Sequence, residues 1–216
     1  MSDRSNKPTP SIFGMITSPI QQFKRIKEKP VIWVAMLVVI VITIIGESFV
    51  IKGMEISNLD IELGNTFLVL IGSAIITSII EVLLGILIIS AIHMLIAKIA
   101  LTSVSFRQLF SMNTYIWIIS ALGVLLNGIV AVIVGVDEPN MIFTNLGSIV
   151  HSSGVIEGLL QNIEVFSIWG YILTGLGLHI VANFSKKTAW IIVSAFFVIN
   201  IIFSIVGSYF SQMVGV

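Results

Sequence analysis

The 216-residue sequence contains no cysteine and few charged residues. Lys, Arg, Asp and Glu together make up 10% of the chain, whereas a soluble domain carries about 25%. The absence of cysteine excludes disulfides, thiol catalysis and cysteine-ligated zinc or iron–sulfur centres. The scarcity of charge excludes a surface that is fully exposed to water. No cofactor and no nucleic-acid partner is expected.

The sequence also lacks the common catalytic motifs. It contains no HExxH zinc motif, no GxSxG elbow, no Walker loop, no paired intramembrane carboxylates and no paired-glutamate motif of prenyl-protease relatives. His93 and His179 have no further convergent ligands, and a zinc site needs three or four. We interpret both histidines as interfacial residues that bond to backbone or lipid. A non-enzymatic protein without a metal is predicted.

Hydrophobic residues make up 56% of the chain, and the mean hydropathy is +1.09. A membrane-crossing helix needs about 20 mostly apolar residues. Five segments satisfy this length, and the second is long enough to tilt or to project from the membrane. The sequence therefore predicts an all-α integral membrane protein, with a cytoplasmic segment over residues 1–30 and a five-helix domain over 31–216. The five segments are Val31–Val50, Thr66–Ala97, Thr114–Val134, Val165–Ala182 and Ala189–Phe210.

Orientation follows from the positive charges, because Lys and Arg in short loops stay on the cytoplasmic side. Ten of the 11 Lys and Arg residues fall on the side of the N-terminus, and Lys52 falls opposite. The N-terminus is therefore predicted to be cytoplasmic and the C-terminus to be outside. The outer side is expected to carry Glu55, Asp60, Glu62, Asp137, Glu138, Glu157 and Glu164.

Trp and Tyr prefer the headgroup level of a bilayer. All seven of these aromatic residues fall near predicted span ends, which supports the same topology without using charge. The predicted inner group is Trp33, Tyr115, Trp117 and Trp190, and the outer group is Trp169, Tyr171 and Tyr209.

A short amphipathic helix is predicted before the first span. Ser18 is the expected N-cap, Pro19 the first helical residue, and Gln21 the partner in a capping box. Ile20, Phe23 and Ile26 recur on one face, which is typical of a helix lying in the membrane plane. The positive residues around it fit either a lipid- or partner-binding surface or a simple positive-inside flank. The predicted basic surface is Lys24, Arg25, Lys27, Lys29, Arg107, Lys186 and Lys187.

The outer segment over residues 135–164 is long for an unstructured connection. Its apolar residues have helical spacing on both sides of a Ser152-Ser153-Gly154 break. The pattern predicts two short helices, either on the outer surface or as a re-entrant pair.

Glu81 lies deep within the second apolar segment, where a charge costs roughly 2.5 to 3.5 kcal/mol. It is therefore expected to face the bundle interior and to hydrogen-bond with Asn200, Thr174 or Asn127. The cluster is either a proton or ligand site or a neutral carboxyl that holds helices together.

Three stretches are similar to the bacterial branch of the Ypt-interacting-protein (Yip) family. They are "SPIQQFKRIKEKP" at 18–30, "SFRQLFSMNTY" at 105–115 and "FSIWGYILTGLGLHIVANFSKKTAW" at 166–190. Their order and spacing cover nearly the whole chain. Bacterial relatives often carry proline after the second motif, whereas this chain has Tyr115-Ile116-Trp117.

The resemblance implies a five-helix membrane protein without known catalytic activity. Eukaryotic members are associated with Rab-type GTPases, and some bacterial members accompany ABC-type exporters that defend against antimicrobial peptides. The expected role is thus an accessory or scaffold partner in a cell membrane, binding lipids, ABC-type subunits or a second copy. A small transporter or channel that uses an intramembrane carboxyl is the alternative.

Overall fold

The computed structural model describes residues 8–57, 65–136, 142–150 and 155–214. These ranges are helical apart from turns and one isolated antiparallel bridge between Asn145 and Glu164. The helices are α1 (Ile12–Thr17), α2 (Pro19–Glu28), α3 (Trp33–Ser57), α4 (Asn65–Ile99), α5 (Phe106–Val134), η1 (a 3-10 turn, Leu146–Ser148), α6 (Val155–Gln161), α7 (Val165–Ile180) and α8 (Lys186–Val214). Arg4, Lys7, Asp60, Glu62, Asp137 and Glu138, and the predicted break at 152–154, lie outside the described residues.

Four helices are long and apolar enough to cross a membrane, and α7 is a shorter apolar helix. The 16 residues of α7 span roughly 24 Å at 1.5 Å per residue, against a hydrocarbon core of about 30 Å. The prediction of an all-α membrane protein with five apolar helices is confirmed. The cytoplasmic ends, named from the charge distribution, are the start of α3, α5 and α8 and the end of α4 and α7.

The tightest helix pair is α3 with α5, which cross at small residues. A Cβ added at Gly46 would lie 2.8 Å from the backbone nitrogen of Leu125, and one at Gly53 would lie 2.5 Å from the carbonyl oxygen of Ala131. Gly128 faces the backbone of Gly46 in the same way. Small residues let membrane helices approach until their backbones touch. Helices α3 and α5 therefore form the most closely packed part of the bundle.

Helix α5 begins eight residues earlier than the predicted Thr114, because Ser105 caps it. The Ser105 side chain accepts from Gln108 N, and the Gln108 side chain accepts from Ser105 N, which is a complete capping box. The predicted capping box at Ser18 and Gln21 is wrong. Ser18 is the N-cap residue of α2, but its hydroxyl donates to Gly14 O and accepts from Gln22 Nε2.

Two aromatic residues near the start of α5 pack inside the protein. Tyr115 is 2% exposed and donates to Pro10 O over 3.1 Å. Trp117 packs against Gly85 of α4. Trp33 at the start of α3 is instead 81% exposed. The headgroup level of all seven Trp and Tyr residues stays a prediction.

The described part of the outer segment contains two short helical elements, as predicted, and the first of them is the 3-10 turn η1. Helix α6 packs against η1 and α8, and Ser204 of α8 donates to Gly158 O over 3.0 Å. Leu146 N also donates to Ile163 O over 3.0 Å. The segment is thus fixed against the outer part of α8.

Candidate functional site

Two regions combine polar side chains with a defined geometry. The first, here called the cytoplasmic cap, consists of α1, α2 and the adjoining cytoplasmic ends of α5, α7 and α8. The second is a cavity between the spans.

The apolar face of α2 packs on the bundle rather than on lipid. Phe23 and Ile26 are fully buried, together with Met15 of α1, in the same cluster as Met112 and Leu178. Ile20, the third residue of the predicted apolar face, is 50% exposed. The amphipathic helix was predicted correctly, but its apolar face closes the end of the protein.

Hydrogen bonds from α5 fix the cap. Gln108 Nε2 donates to Lys27 O over 2.6 Å, and Ser111 Oγ donates to Val31 O over 2.8 Å. Both acceptors lie near the end of α2, where carbonyl groups lack helical partners. Tyr115 adds the bond to the backbone before α1 that is described above. The N-terminal helices are therefore held in one position on the bundle.

Asn183, in the turn between α7 and α8, connects α2 to the turn between α4 and α5. Its side-chain oxygen accepts from Lys27 Nζ, and its Nδ2 donates to Ser103 O over 3.1 Å. The φ angle of Asn183 is 60°, in the left-handed region where Asn is one of the few tolerated residues. His179 Nδ1 lies 2.7 Å from Phe184 O in the same turn. The prediction of a backbone bond is thus confirmed for His179.

The cap presents cations to the cytoplasm. Lys24, Arg107, Lys186 and Lys187 are exposed, whereas Arg25, Lys27 and Lys29 are partly buried. Lys24 and Lys27 line a shallow cleft with Glu28, His179 and Asn183. The predicted basic residues therefore surround one end of the bundle. A surface of this kind can bind anionic lipid or an acidic face of a protein.

The cavity lies between α4, α5, α7 and α8 and has a volume of about 940 Å³. Ligand sites commonly measure roughly 300 to 1,000 Å³. Glu47 of α3 and part of the outer segment complete the lining. The polar lining residues include Glu47, His93, Asn113, Ser120, Asn127, Glu164, Tyr171, Thr174 and Asn200.

Three of the four residues in the predicted intramembrane cluster line this cavity. Asn127, Thr174 and Asn200 are brought together, but Glu81 is not among the lining residues. Thr174 Oγ1 donates within its own helix to Gly170 O over 2.8 Å. Glu81 is exposed on α4, one turn before Gly85, and is near enough to Glu47 for the two carboxyl groups to influence each other. The sequence had not indicated that these two carboxyl groups lie near each other.

Asn127 is satisfied by the outer segment instead of by Glu81. Its Oδ1 accepts from Phe143 N over 2.7 Å, and its Nδ2 donates to Thr144 Oγ1 over 3.1 Å. Thr144 Oγ1 donates in turn to Glu164 Oε1 over 2.8 Å. Glu164 also accepts from Phe166 N and Ser167 N, which makes it the cap of α7. This chain of bonds ties the outer segment to α5 and α7.

His93 is buried in the bundle and is not interfacial. It is 1% exposed and meets Phe196 of α8 edge to face, with ring centroids 5.7 Å apart. Asn113 lies beside the ring, but the Asn113 amide donates to Ser90 Oγ over 2.9 Å. Neither ring nitrogen has a hydrogen-bond partner among the described residues. Among all the residues that the structure describes, no group of three or more His, Asp or Glu residues could hold a metal ion.

The roles of Glu164 and His93 were missed by sequence reasoning for different reasons. A capping signal was available for Glu164, because an acidic residue directly precedes the apolar helix that starts at Val165. No sequence pattern indicated that His93 is buried, because α4 is apolar on all sides and so has no face that marks the interior of the bundle.

Comparison with known proteins gives one family. A Yip1 domain model matches residues 13–208. The chain is 32% identical to Membrane protein YknW from Bacillus subtilis (strain 168), over 95% of this chain and 93% of that protein. No solved structure matches the chain significantly. The matched range begins within α1 and ends within α8, so it includes both the cap and the cavity.

Proposed function

Because the chain belongs to the Yip1 domain family, we propose that it is a non-enzymatic membrane protein that acts as an accessory or scaffold partner of other membrane proteins. The observation that carries this proposal is the fixed geometry of the cytoplasmic cap. Phe23 and Ile26 are buried against the bundle, and Gln108 and Ser111 hold the chain that follows them. The basic residues are therefore displayed on a rigid base.

A rigid basic surface favours a protein partner over a lipid anchor. A helix that binds membranes inserts its apolar face into the headgroup region. Most of the apolar face of α2 is instead buried against the other helices of the protein. Fixed side chains also lose less conformational entropy when a partner binds. Anionic lipids remain a second contact for the exposed cations. The cell membrane is the proposed location.

The concrete partner is an ABC-type exporter that defends against antimicrobial peptides. This choice rests on the similarity to the bacterial Yip proteins, and the exposed Lys24, Lys186 and Lys187 fit an acidic cytoplasmic surface of such a partner. A second copy of the chain is a further candidate partner. In either case the apolar faces of α4 and α8 would lie beside lipid or a partner helix.

Affinity purification from native membranes, after mild crosslinking, tests the proposal. The wild-type protein should co-purify defined membrane proteins, including an ABC-type subunit. A Lys24→Gln, Lys186→Gln and Lys187→Gln triple variant should lose them, because all three side chains are exposed on the cap. Lys52→Gln, on the opposite side, is the control and should retain them. Retention by the triple variant, or a wild type without partners, would contradict the proposal.

The transporter alternative is favoured by the cavity and by the Glu47–Glu81 pair. Intramembrane carboxyls often mark ion or substrate pathways. Purified protein in liposomes should then move an ion or an organic solute without a second subunit. Flux equal to that of protein-free liposomes would remove this alternative and leave the accessory role in place.

A further inference from the structure

We propose that the cavity is a binding site for a lipophilic organic cation, meaning a molecule with an apolar body and one positive centre. Glu47 would face the positive centre, and the aromatic walls would contact the body. This inference does not depend on the docking role of the cap. It also does not require that the bound cation be transported.

The shape of the cavity fits a molecule of that size. Residues of α4, α5, α7 and α8 form most of its lining. The contact between His93 and Phe196 joins α4 to α8 at the level of Asn113. From Asn113 to Asn127 the cavity follows about 21 Å of α5, at 1.5 Å per residue. It therefore runs lengthwise within the membrane-spanning part of the protein.

The walls are rich in aromatic side chains. The aromatic lining residues are Trp117, Phe166, Tyr171, Phe196 and Phe203. The face of an aromatic ring attracts a cation, by about 0.5 to 2 kcal/mol depending on how much water is excluded. Phe203 is 73% exposed, so this side of the cavity is open along α8. An apolar body can enter from the lipid by this route.

The carboxyl groups of the lining have no basic counterpart. Glu47 and Glu164 line the cavity, and within the described residues no Lys or Arg does so. Glu164 accepts hydrogen bonds from Thr144 and from the start of α7. Glu47 has no hydrogen-bond partner in the described part of the chain. A carboxylate at this position would attract a cation.

His93 gives independent support for a ligand. Its ring is 1% exposed and lines the cavity, yet neither nitrogen has a partner in the described structure. A buried polar group without a partner costs roughly 1 to 3 kcal/mol. A hydrogen-bonding group on a bound molecule would remove this cost. The cavity thus has an acidic position and an unsatisfied polar position on apolar walls.

Binding of two matched probes tests the inference. Tetraphenylphosphonium and tetraphenylborate have the same shape and opposite charge, and each is titrated against the full chain in nanodiscs with subtraction of protein-free nanodiscs. The wild type should bind one phosphonium per chain and should bind the borate at least tenfold more weakly. Glu47→Gln should weaken phosphonium binding about tenfold and leave borate binding unchanged. Equal affinity for both probes would overturn the assignment of a cation.

Filling the cavity tests its location. A Cβ added at Gly170, which lines the cavity, meets nothing within 4 Å, and the same holds at Gly207, which is not a lining residue. Gly170→Phe should abolish saturable phosphonium binding, whereas Gly207→Phe should bind as the wild type does. Ser120→Leu fills the cavity from the side of α5. This variant replaces Gly170→Phe in the experiment if Gly170→Phe folds poorly. Binding that survives in folded Gly170→Phe or Ser120→Leu protein would overturn the site.

Discussion

The cytoplasmic end of the bundle and the spans beyond it are built in opposite ways. At the cytoplasmic end, Phe23, Met112 and Leu178 are fully buried, and three side chains of α5 bond to backbone carbonyl groups before, within and after α1 and α2. Beyond the cap, α4, α5, α7 and α8 surround a cavity of about 940 Å³ that extends along α5 from Asn113 to Asn127. The cytoplasmic end is therefore closed by side-chain packing, whereas the spans beyond it enclose space.

The closed end should be the most sensitive to loss of volume. Phe23→Ala removes a fully buried ring and should lower the free energy of unfolding by about 3 to 5 kcal/mol. Ile20→Ala, on the exposed side of the same helix, should lower it by less than about 1 kcal/mol. Denaturant titration in detergent, followed by circular dichroism, measures both. Equal effects would show that α2 does not pack on the bundle.

The contrast can be sharpened within one helix. A Cβ at Gly177 would lie 2.8 Å from Met112 Sδ and 3.2 Å from Phe23, whereas one at Gly170 meets nothing within 4 Å. Gly177→Leu should therefore cost about 2 to 3 kcal/mol through overpacking. Gly170→Leu should be neutral or slightly stabilising, since glycine is a poor helix former. The same unfolding titration measures both, and similar losses would contradict the difference between the ends.

The sequence did not predict most of the difference between the closely packed cytoplasmic end and the cavity between the spans. Apolar length predicted the four long apolar helices and the shorter α7, and the predicted start of α7 at Val165 is its observed start. Three of the four residues that the sequence grouped together, Asn127, Thr174 and Asn200, line one cavity. The sequence could not predict which face of α4 points into the bundle, because nearly every residue of this helix is apolar. Glu81 was for that reason placed at a plausible depth with the wrong neighbours.

The basic surface was predicted from charge, but its rigidity was not. Lys24 and Lys186 are far apart in the sequence, and their common base depends on Gln108, Ser111 and Asn183. Side-chain to backbone bonds of this kind have no periodic pattern. The start of α5 is an exception, because the Ser105 and Gln108 pair is a readable capping signal.

The outer segment should have an intermediate sensitivity. Asn127→Leu leaves Phe143 N without its acceptor and removes the donor to Thr144. A loss of about 1 to 2 kcal/mol is expected from one unsatisfied buried group. Thr174→Val is the control, since Thr174 bonds only within its own helix among the described residues. Amide hydrogen exchange around Thr144 should be faster in the Asn127→Leu variant than in the wild type. Unchanged exchange would show that Asn127 does not hold the outer segment in place.

Glu81 should show the smallest effect. Glu81→Gln removes the repulsion with Glu47 and keeps the size of the side chain. The free energy of unfolding should change by no more than about 0.5 kcal/mol, and in the stabilising direction. A destabilisation of 2 kcal/mol or more, on the order expected for a buried bonded group, would show that Glu81 has a partner that the described residues do not provide.

The central claim is that the cap and the outer segment lie on opposite sides of the membrane. The chain has no cysteine, so single cysteines can be introduced at chosen positions. Ser167 is exposed at the outer start of α7, and Ser185 is exposed in the turn before α8. A membrane-impermeant thiol reagent applied to intact cells should label Ser167→Cys and should label Ser185→Cys only after the cells are opened. Labelling of Ser185→Cys in intact cells, with Ser167→Cys protected, would reverse the topology and contradict the account.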